Sequence, residues 1–176
     1  MQTVKLIFFG STNDSVIVLE KLFLGQLSKV NLSICCIVTQ PPRPVGRGHT
    51  ITPTPVEVWA KDQGISSLSF PSDEKTPTMY ASEQAVIDTL APFKADLLVS
   101  ASYGQKIPTK TITDATYGGL NIHPSLLPRW RGADPVPWAI LTGDHQTGVT
   151  IVTLSPEFDQ GKIIAQKKIP ITDRDT

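Results

Sequence analysis

The 176-residue sequence has few of the side chains that build disulfides or metal sites: two cysteines and three histidines. Cys35 and Cys36 are adjacent in an apolar run, so on a strand their side chains face opposite sides. The histidines at 49, 123 and 145 lack the spacing of metal ligands. We therefore expect two small core cysteines, no bound metal and a reducing compartment, the cytoplasm.

The sequence also lacks a charge excess, because 16 Lys and Arg residues balance 16 Asp and Glu residues. Overall charge therefore does not indicate a nucleic-acid binder, and any RNA contact would need a local basic patch. No apolar run is long enough to span a membrane, and no signal-like segment opens the chain. These features predict a monomeric globular domain with no membrane partner.

Apolar runs and turn residues alternate along the chain as in an α/β protein. Residues 4–9 form a predicted buried strand, and a helix follows from about Ser15 to Gly25. Only Gly10 is present of the Gly-x-Gly-x-x-Gly pattern, which disfavours a dinucleotide site. The predicted fold is α/β: a Rossmann-like, mostly parallel sheet flanked by helices, with a C-terminal antiparallel β-hairpin. Its further strands are predicted at 32–38, 96–100, 149–154 and 162–169.

Two later helices have clear predicted starts. Thr54 and Asp134 each precede a proline, and both residue types cap helices well. Between them, the stretch Gly119–Gly132 reads as a short strand that ends in polar groups and prolines. The chain is organised around this stretch.

Asn121 and His123 lie two positions apart on that predicted strand, so their side chains point to the same face. Ligands bind at the carboxyl edge of open α/β sheets, where these residues would lie. An Asn amide can donate to a developing oxyanion, and a His can move a proton near neutral pH. Such a pair suits acyl chemistry, although many pairs of this kind are only a turn residue and a satisfied histidine.

Residues 39–53 are rich in Pro, Gly and Arg and show no periodicity, so we predict a long irregular loop. Composition alone leaves two interpretations open, a functional loop or a solvated connector. Its Arg43 and Arg47 carry planar guanidinium groups, which suit phosphates and base edges.

The string Asn-Ile-His-Pro-Ser-Leu-Leu-Pro-Arg-Trp-Arg-Gly at 121–132, with Pro135 and Gly143-Asp144, resembles the folate-dependent formyltransferase family. The resemblance extends from Leu6 to the last residue. Asp159-Gln-Gly161 matches the Asp-x-Gly of the family, whose aspartate reaches the histidine, whereas a loop carboxylate by itself is usually solvated. The Gln-Pro-x-Arg-Pro-x-Gly-Arg-Gly loop resembles that of members acting on initiator methionyl-tRNA.

The resemblance implies transfer of the formyl group of 10-formyltetrahydrofolate, a co-substrate, to the amino group of methionine on initiator tRNA for translation initiation. No metal is implied. Arg43 and Arg47 would contact the tRNA, although His49 and Thr50 stand where relatives often carry lysines, which lowers the local positive charge. The implied catalytic residues are Asn121, His123 and Asp159, and the implied folate-binding residues are Ser125, Leu126, Leu127, Pro128, Ser102, Tyr103, Gly104 and Ile107.

Several alternatives remain open from the sequence. In the first, the formyl acceptor is another amine, such as glycinamide ribonucleotide or an amino sugar. In the second, water takes the place of the amine and the formyl-folate is hydrolysed. In the third, the chain binds folate or RNA without turnover. Tyr103 lines the folate pocket or packs in its loop, and Arg129 and Arg131 reach ligands or form surface salt bridges. Residues 1–176 are expected to be a formyltransferase catalytic domain, with the C-terminal tRNA-binding domain of related proteins absent from this chain.

Overall fold

In the computed structural model, which describes residues 2–24 and 30–175, β1 (Gln2–Gly10) is the central strand of a parallel sheet. Leu6, Ile7, Phe8 and Phe9 are all fully buried. A strand covered on both faces needs such a continuous apolar run. The chain divides into two compact units, Met1–Gly118 and Gly119–Thr176.

After β1, the elements of the first unit are α1 (Asn13–Leu24), β2 (Val30–Thr39), β3 (Arg43–Val45), β4 (Thr50–Thr52), α2 (Pro55–Asp62), β5 (Ser67–Ser69), α3 (Glu83–Leu90), a 3-10 turn (Ala91–Phe93), β6 (Leu97–Ala101) and α4 (Thr109–Asp114). Four of the strands form a sheet in the order β5-β2-β1-β6, and every pairing in that sheet is parallel. Helix α1 packs against β1 and β6, and α2 packs against β2 and β5. Gly25, the predicted end of α1, lies outside the described residues.

The second unit contains three strands paired in antiparallel fashion, β7 (Gly119–His123), β8 (Gln146–Thr153) and β9 (Ile163–Pro170). Helix α5 (Pro135–Leu141) packs against β8. Buried and more exposed residues alternate along β8 from Gly148, as expected for a sheet covered on one face. The predicted α/β class is thus confirmed, with its mostly parallel sheet, flanking helices and C-terminal antiparallel hairpin. No helix in 2–24 or 30–175 is long and apolar enough to cross a bilayer.

The turn after β1 closes through a buried serine. Ser15 Oγ accepts hydrogen bonds from the amides of Ser11 and Thr12, both at 3.1 Å, and donates to the carbonyl of Ala101 at 2.7 Å. A Cβ at Gly10 would lie 2.6 Å from the Phe8 ring and 2.7 Å from Ser15 Cβ. Gly10 therefore permits the close approach of strand and helix, and no dinucleotide motif is needed to explain it.

The two cysteines occupy an irregularity in β2. Leu6 pairs with Ile34, whereas Ile7 pairs with Cys36, so Cys35 is the extra residue of a β-bulge. The Cys35 thiol donates to the carbonyl of Leu6 at 3.3 Å, and Cys36 is fully buried. Cys36 is therefore a core residue as predicted, whereas Cys35 is half-buried.

The predictions for the helix starts and for the arginine-rich loop had mixed outcomes. Thr54 caps α2, because its hydroxyl accepts from the amide of Glu57 at 3.1 Å. Asp134 precedes α5 but makes no capping bond with its side chain, because its backbone is left-handed at φ 55°. Residues 43–52 form an antiparallel hairpin, β3 with β4, so the prediction of an irregular loop was wrong.

Candidate active site

Asn121 and His123 lie at the end of β7, which pairs with β8 through His123 opposite Thr150. The two residues are one strand repeat apart, so their side chains lie on the same face. His123 is 4% exposed and Asn121 is half-buried. An imidazole buried to this degree needs hydrogen-bonding partners at its ring nitrogens.

Asp159, in the loop between β8 and β9, meets both side chains. Its Oδ1 accepts from Asn121 Nδ2 at 2.8 Å, and its Oδ2 lies 3.4 Å from His123 Nδ1. The Gly132 amide also donates to Oδ2 at 2.9 Å. The three predicted catalytic residues therefore form one buried cluster around a carboxylate.

The second ring nitrogen of His123 also faces an acceptor. His123 Nε2 lies 2.7 Å from the carbonyl oxygen of Trp130. Both ring nitrogens of His123 therefore face acceptor groups, a carboxylate at Nδ1 and a carbonyl at Nε2. The Asn121 amide beside the ring keeps a second hydrogen for another acceptor.

The position of Asp159 depends on a glycine two residues later. Asp159 has a left-handed backbone at φ 55°, within the tight loop that leads into β9. A Cβ at Gly161 would overlap the backbone carbonyl of Thr153. The Thr153 hydroxyl in turn accepts from the Lys162 amide at 2.8 Å. Close approach of the loop to β8 therefore requires glycine in the Asp-Gln-Gly sequence.

The segment Ser125–Pro128 leaves the strand end with alternating burial. Ser125 is fully buried and donates from Oγ to the carbonyl of Arg129 at 2.8 Å, and Leu127 is 5% exposed. Leu126 is half-buried and Pro128 is exposed, after a cis Leu127–Pro128 peptide. The side chains of Leu126 and Pro128 are thus the accessible ones in this segment.

Arg129 forms a salt bridge with Asp144, one of the two interpretations left open by the sequence. Its Nε and Nη2 donate to the two carboxylate oxygens at 2.9 and 2.8 Å, and Trp130 Nε1 donates to Oδ2 at 2.7 Å. The Arg129 guanidinium, followed by the Trp130 indole, lowers the pKa of Asp144 to about 2. Asp144 is therefore ionised throughout the neutral range.

Comparison with known proteins identifies the family to which the chain belongs. The family model described as "Formyl transferase" matches residues 4–176. The chain belongs to the formyl transferase family. It is 40% identical over 171 residues to a methionyl-tRNA formyltransferase of Listeria innocua, covering 97% of this chain and 50% of that protein. It is 39% identical to one of Ehrlichia ruminantium strain Gardel, covering 97% and 52%.

The chain thus spans about half the length of the curated relatives it matches. Among solved structures, phosphoribosylglycinamide formyltransferase from Bacillus halodurans superposes with a TM-score of 0.74 at 24% identity. That match covers 98% of this chain and 82% of the other. At this identity the likeness shows the fold alone.

The predicted folate loop follows β6 in the first unit. Ser102 and Gly104 have positive φ values of 45° and 86°. Tyr103 is 3% exposed, packs edge-on to Phe9 and accepts a hydrogen bond from Tyr80 Oη at 3.0 Å. The Tyr103 side chain is therefore packed in the interior against Phe9 and Tyr80, and Ile107 is also buried. A role in folate binding for these positions stays a prediction.

The two arginines predicted to bind tRNA lie on the β3–β4 hairpin. Arg43 begins β3, and Arg47 lies in the turn at the tip. Both are exposed, as are all six residues of the two strands. The hairpin thus presents its guanidinium groups to solvent, where an anionic partner could reach them.

Sequence reasoning missed two groups that contact this cluster, the Trp130 carbonyl and the Gly132 amide. Both are backbone groups, and their positions depend on φ values of 58° at Trp130 and 82° at Gly132. No residue type in the sequence predicts a left-handed backbone conformation at a tryptophan. Gly143-Asp144 was part of the family string, but no partner for Asp144 could be deduced from it.

Proposed function

We propose that this chain transfers the formyl group of 10-formyltetrahydrofolate to the amino group of methionine on initiator methionyl-tRNA. The observation that carries the proposal is the buried cluster of Asn121, His123 and Asp159, with Asn121 Nδ2 2.8 Å from Asp159 Oδ1. Both relatives at about 40% identity bear the name methionyl-tRNA formyltransferase, which supports this acceptor. Because the proposed activity belongs to translation initiation, we place the protein in the cytoplasm. We also propose that it acts as a monomer.

The chemistry is an acyl transfer without a covalent enzyme intermediate. The neutral amine forms a bond to the formyl carbon, the bond from that carbon to the folate nitrogen breaks, and one proton passes from the amine to that nitrogen. Asn121 donates its second amide hydrogen to the formyl oxygen as negative charge develops there. One such donor is worth about 10²- to 10³-fold in rate.

His123 supplies a proton-exchanging group beside the same centre. The Asp159 carboxylate faces Nδ1 of the imidazole across 3.4 Å and orients the ring. Acid–base assistance of this kind contributes about 10²- to 10⁴-fold. The cluster therefore accounts for both charge stabilisation and proton movement with no metal.

The exposed arginines favour tRNA over a small amine as the acceptor. Arg43 and Arg47 lie on a hairpin that presents no apolar surface to a core. A guanidinium there is suited to phosphates or base edges. An amino sugar offers neither group and glycinamide ribonucleotide offers a single phosphate, whereas a tRNA presents phosphates along its whole length and base edges besides. We assign folate contacts to Ser125–Pro128 and to Ser102, Tyr103, Gly104 and Ile107, with Tyr103 contributing through its backbone.

The decisive experiment is a formyl-transfer assay with separate acceptors. The protein is incubated with 10-formyltetrahydrofolate and, in turn, initiator methionyl-tRNA, glycinamide ribonucleotide or no acceptor. We expect formylmethionine on the tRNA, none with the ribonucleotide and little release of formate. His123→Ala, with its fold checked by circular dichroism, is the matched inactive control. Formate release equal to the transfer rate would indicate a hydrolase, and folate binding without turnover would contradict an enzymatic role.

A further inference from the structure

The backbone of residues Trp130–Gly132 contacts both ionisable groups of the catalytic cluster. The Trp130 carbonyl lies 2.7 Å from His123 Nε2, and the Gly132 amide donates to Asp159 Oδ2 at 2.9 Å. The positions of these backbone groups depend on the conformation of the segment, which the contacts of its side chains can hold in place.

The segment has an unfavourable backbone that needs such support. Trp130 has φ 58°, in the left-handed region where a bulky side chain crowds the backbone. Gly132 follows at φ 82° and Asp134 at 55°. Strained conformations of this kind persist only where surrounding contacts determine them, and they concentrate at functional sites.

Asp144 makes the contacts that hold the strained tryptophan. It accepts from Trp130 Nε1 at 2.7 Å and from both Nε and Nη2 of Arg129. The Arg129 guanidinium carbon lies 4.4 Å from the centroid of the Trp130 ring, and Trp138 stacks on that ring at 6.2 Å and 13°. Asp144 therefore binds Trp130, whose carbonyl faces His123, and the residue before it, Arg129.

We propose that Asp144 is a positioning residue for formyl transfer: by binding Arg129 and Trp130, it holds the Trp130 carbonyl on His123 Nε2. The inference rests on the function proposed above. The carbonyl gives the imidazole a second acceptor opposite Asp159, which fixes the plane of the ring. Asp144 acts through this backbone contact and touches no reacting atom.

A purely structural interpretation is that Asp144 and Arg129 form an ordinary surface salt bridge. The Arg129 side chain is 58% exposed and that of Asp144 is 19% exposed, and pairs of this kind contribute little to stability. The two interpretations differ in their consequences for His123. Only a positioning role alters the Nε2 proton of a histidine with which Asp144 makes no hydrogen bond.

Asp144→Asn tests the proposal, because it preserves the size of the side chain but removes the charge and one of the two oxygens that Arg129 uses. We expect kcat for formyl transfer to fall about 10- to 100-fold, with KM for both substrates changed less than about threefold, as for a misplaced catalytic group. By NMR, we expect the His123 Nε2 proton to be observed in the unmodified protein and lost through exchange in the variant. Its signal is assigned by its absence in His123→Gln.

Two further variants keep the test decisive. Asp173→Asn removes an exposed carboxylate of the same unit and should leave kcat and the His123 signal unchanged. Trp130→Phe keeps a ring for stacking but lacks the indole donor to Asp144, so it should weaken the His123 signal and lower kcat without unfolding. The melting temperature of each variant is measured first, so that a misfolded protein is recognised.

The outcomes are separable from those of the proposed function. An unchanged kcat with a retained His123 signal in Asp144→Asn and Trp130→Phe would overturn the positioning role, and an increased kcat would overturn it by showing that the segment blocks the site. If the unmodified chain transfers no formyl group, the proposed function fails. In that case the NMR signal alone decides whether Asp144 orients His123.

Discussion

Asp159 lies 38 positions beyond Asn121 in the chain and accepts a hydrogen bond from its side-chain amide at 2.8 Å. The same carboxylate faces His123 and the Gly132 amide, and the Asp159 side chain is only 5% exposed. A buried carboxylate with three donors around it uses both oxygens, so a neutral amide of the same shape cannot replace it. The cluster therefore depends on the charge of Asp159 as well as on its position.

We predict that Asp159→Asn lowers kcat for formyl transfer by at least about 100-fold, the lower range for loss of acid–base assistance. The new amide nitrogen must face either Asn121 Nδ2 or both the Gly132 amide and His123 Nδ1. Either choice leaves at least one donor unpaired, which costs about 1–3 kcal/mol of stability. Steady-state kinetics and urea unfolding measure the two effects. A variant that retained kcat within about threefold would remove Asp159 from the mechanism.

The loop that carries Asp159 predicts a second effect, at Gly161. We expect Gly161→Ala to destabilise the protein by about 2 kcal/mol or more, because the added Cβ would overlap the Thr153 carbonyl and displace the loop. Activity should fall with it, since Asp159 moves. Urea unfolding measures the change in free energy.

Gly48→Ala is the matched control for that substitution. A Cβ at Gly48 would meet only Thr50 Oγ1 at 3.7 Å, an ordinary contact, and its φ is not positive. We expect its stability to change by less than about 0.5 kcal/mol. Equal effects of the two alanines would mean that the close approach at Gly161 is not what requires glycine there.

The sequence was sufficient to predict features that depend on local periodicity. The apolar run of β1 indicated a buried strand, and the two-residue spacing of Asn121 and His123 placed both on one face. The link from His123 to Asp159 came from resemblance, because 36 residues separate them and no local pattern determines such a pairing.

The features that were missed depend on backbone conformation and on cross-strand pairing. The β3–β4 hairpin has only three residues a side, with Arg43 opposite Thr52, which is too short for an alternating pattern to indicate a strand. The backbone of Asp134 is left-handed, so its side chain does not cap α5 although aspartate commonly caps helices. The contact of the Trp130 carbonyl with His123 depends on another left-handed residue.

Arg47 at the hairpin tip predicts a substrate-specific effect. We expect Arg47→Ala to raise KM for tRNA about fivefold, as for the loss of one phosphate contact. The slope of the logarithm of tRNA affinity against the logarithm of salt concentration should become shallower by about 1. KM for the formyl-folate should change less than about twofold, because the substitution touches no catalytic residue. Kinetics at several salt concentrations measure both quantities. Lys75→Ala is the control, because it removes an exposed cation of the same unit. If it raised KM for tRNA as much as Arg47→Ala, the effect would reflect overall charge and not a contact of Arg47.

The two cysteines predict slow thiol chemistry in the folded protein. Burial, followed by the charge of Cys35, raises the pKa of Cys36 to about 12, and burial also raises the pKa of Cys35. The thiolate is the reactive form, so at pH 8 the thiolate fraction of Cys36 is about one in ten thousand, against about one in four for a free thiol. We expect a disulfide reagent to leave Cys36 unmodified in the native protein and to modify both thiols in urea.

The raised pKa values of the two cysteines also predict that the stability of the protein decreases at high pH. A raised pKa in the folded state means that the unfolded chain releases its thiol protons first, from about pH 8.5 upward. The contribution of the neutral Cys36 thiol to stability is therefore complete below that pH and is lost as the pH rises toward about 12. We expect the free energy of unfolding to fall by up to about 1.4 kcal/mol per pH unit between pH 8.5 and 10. Urea unfolding should show a smaller decrease in Cys36→Ala, and an equal slope in that variant would assign the pH dependence to other groups.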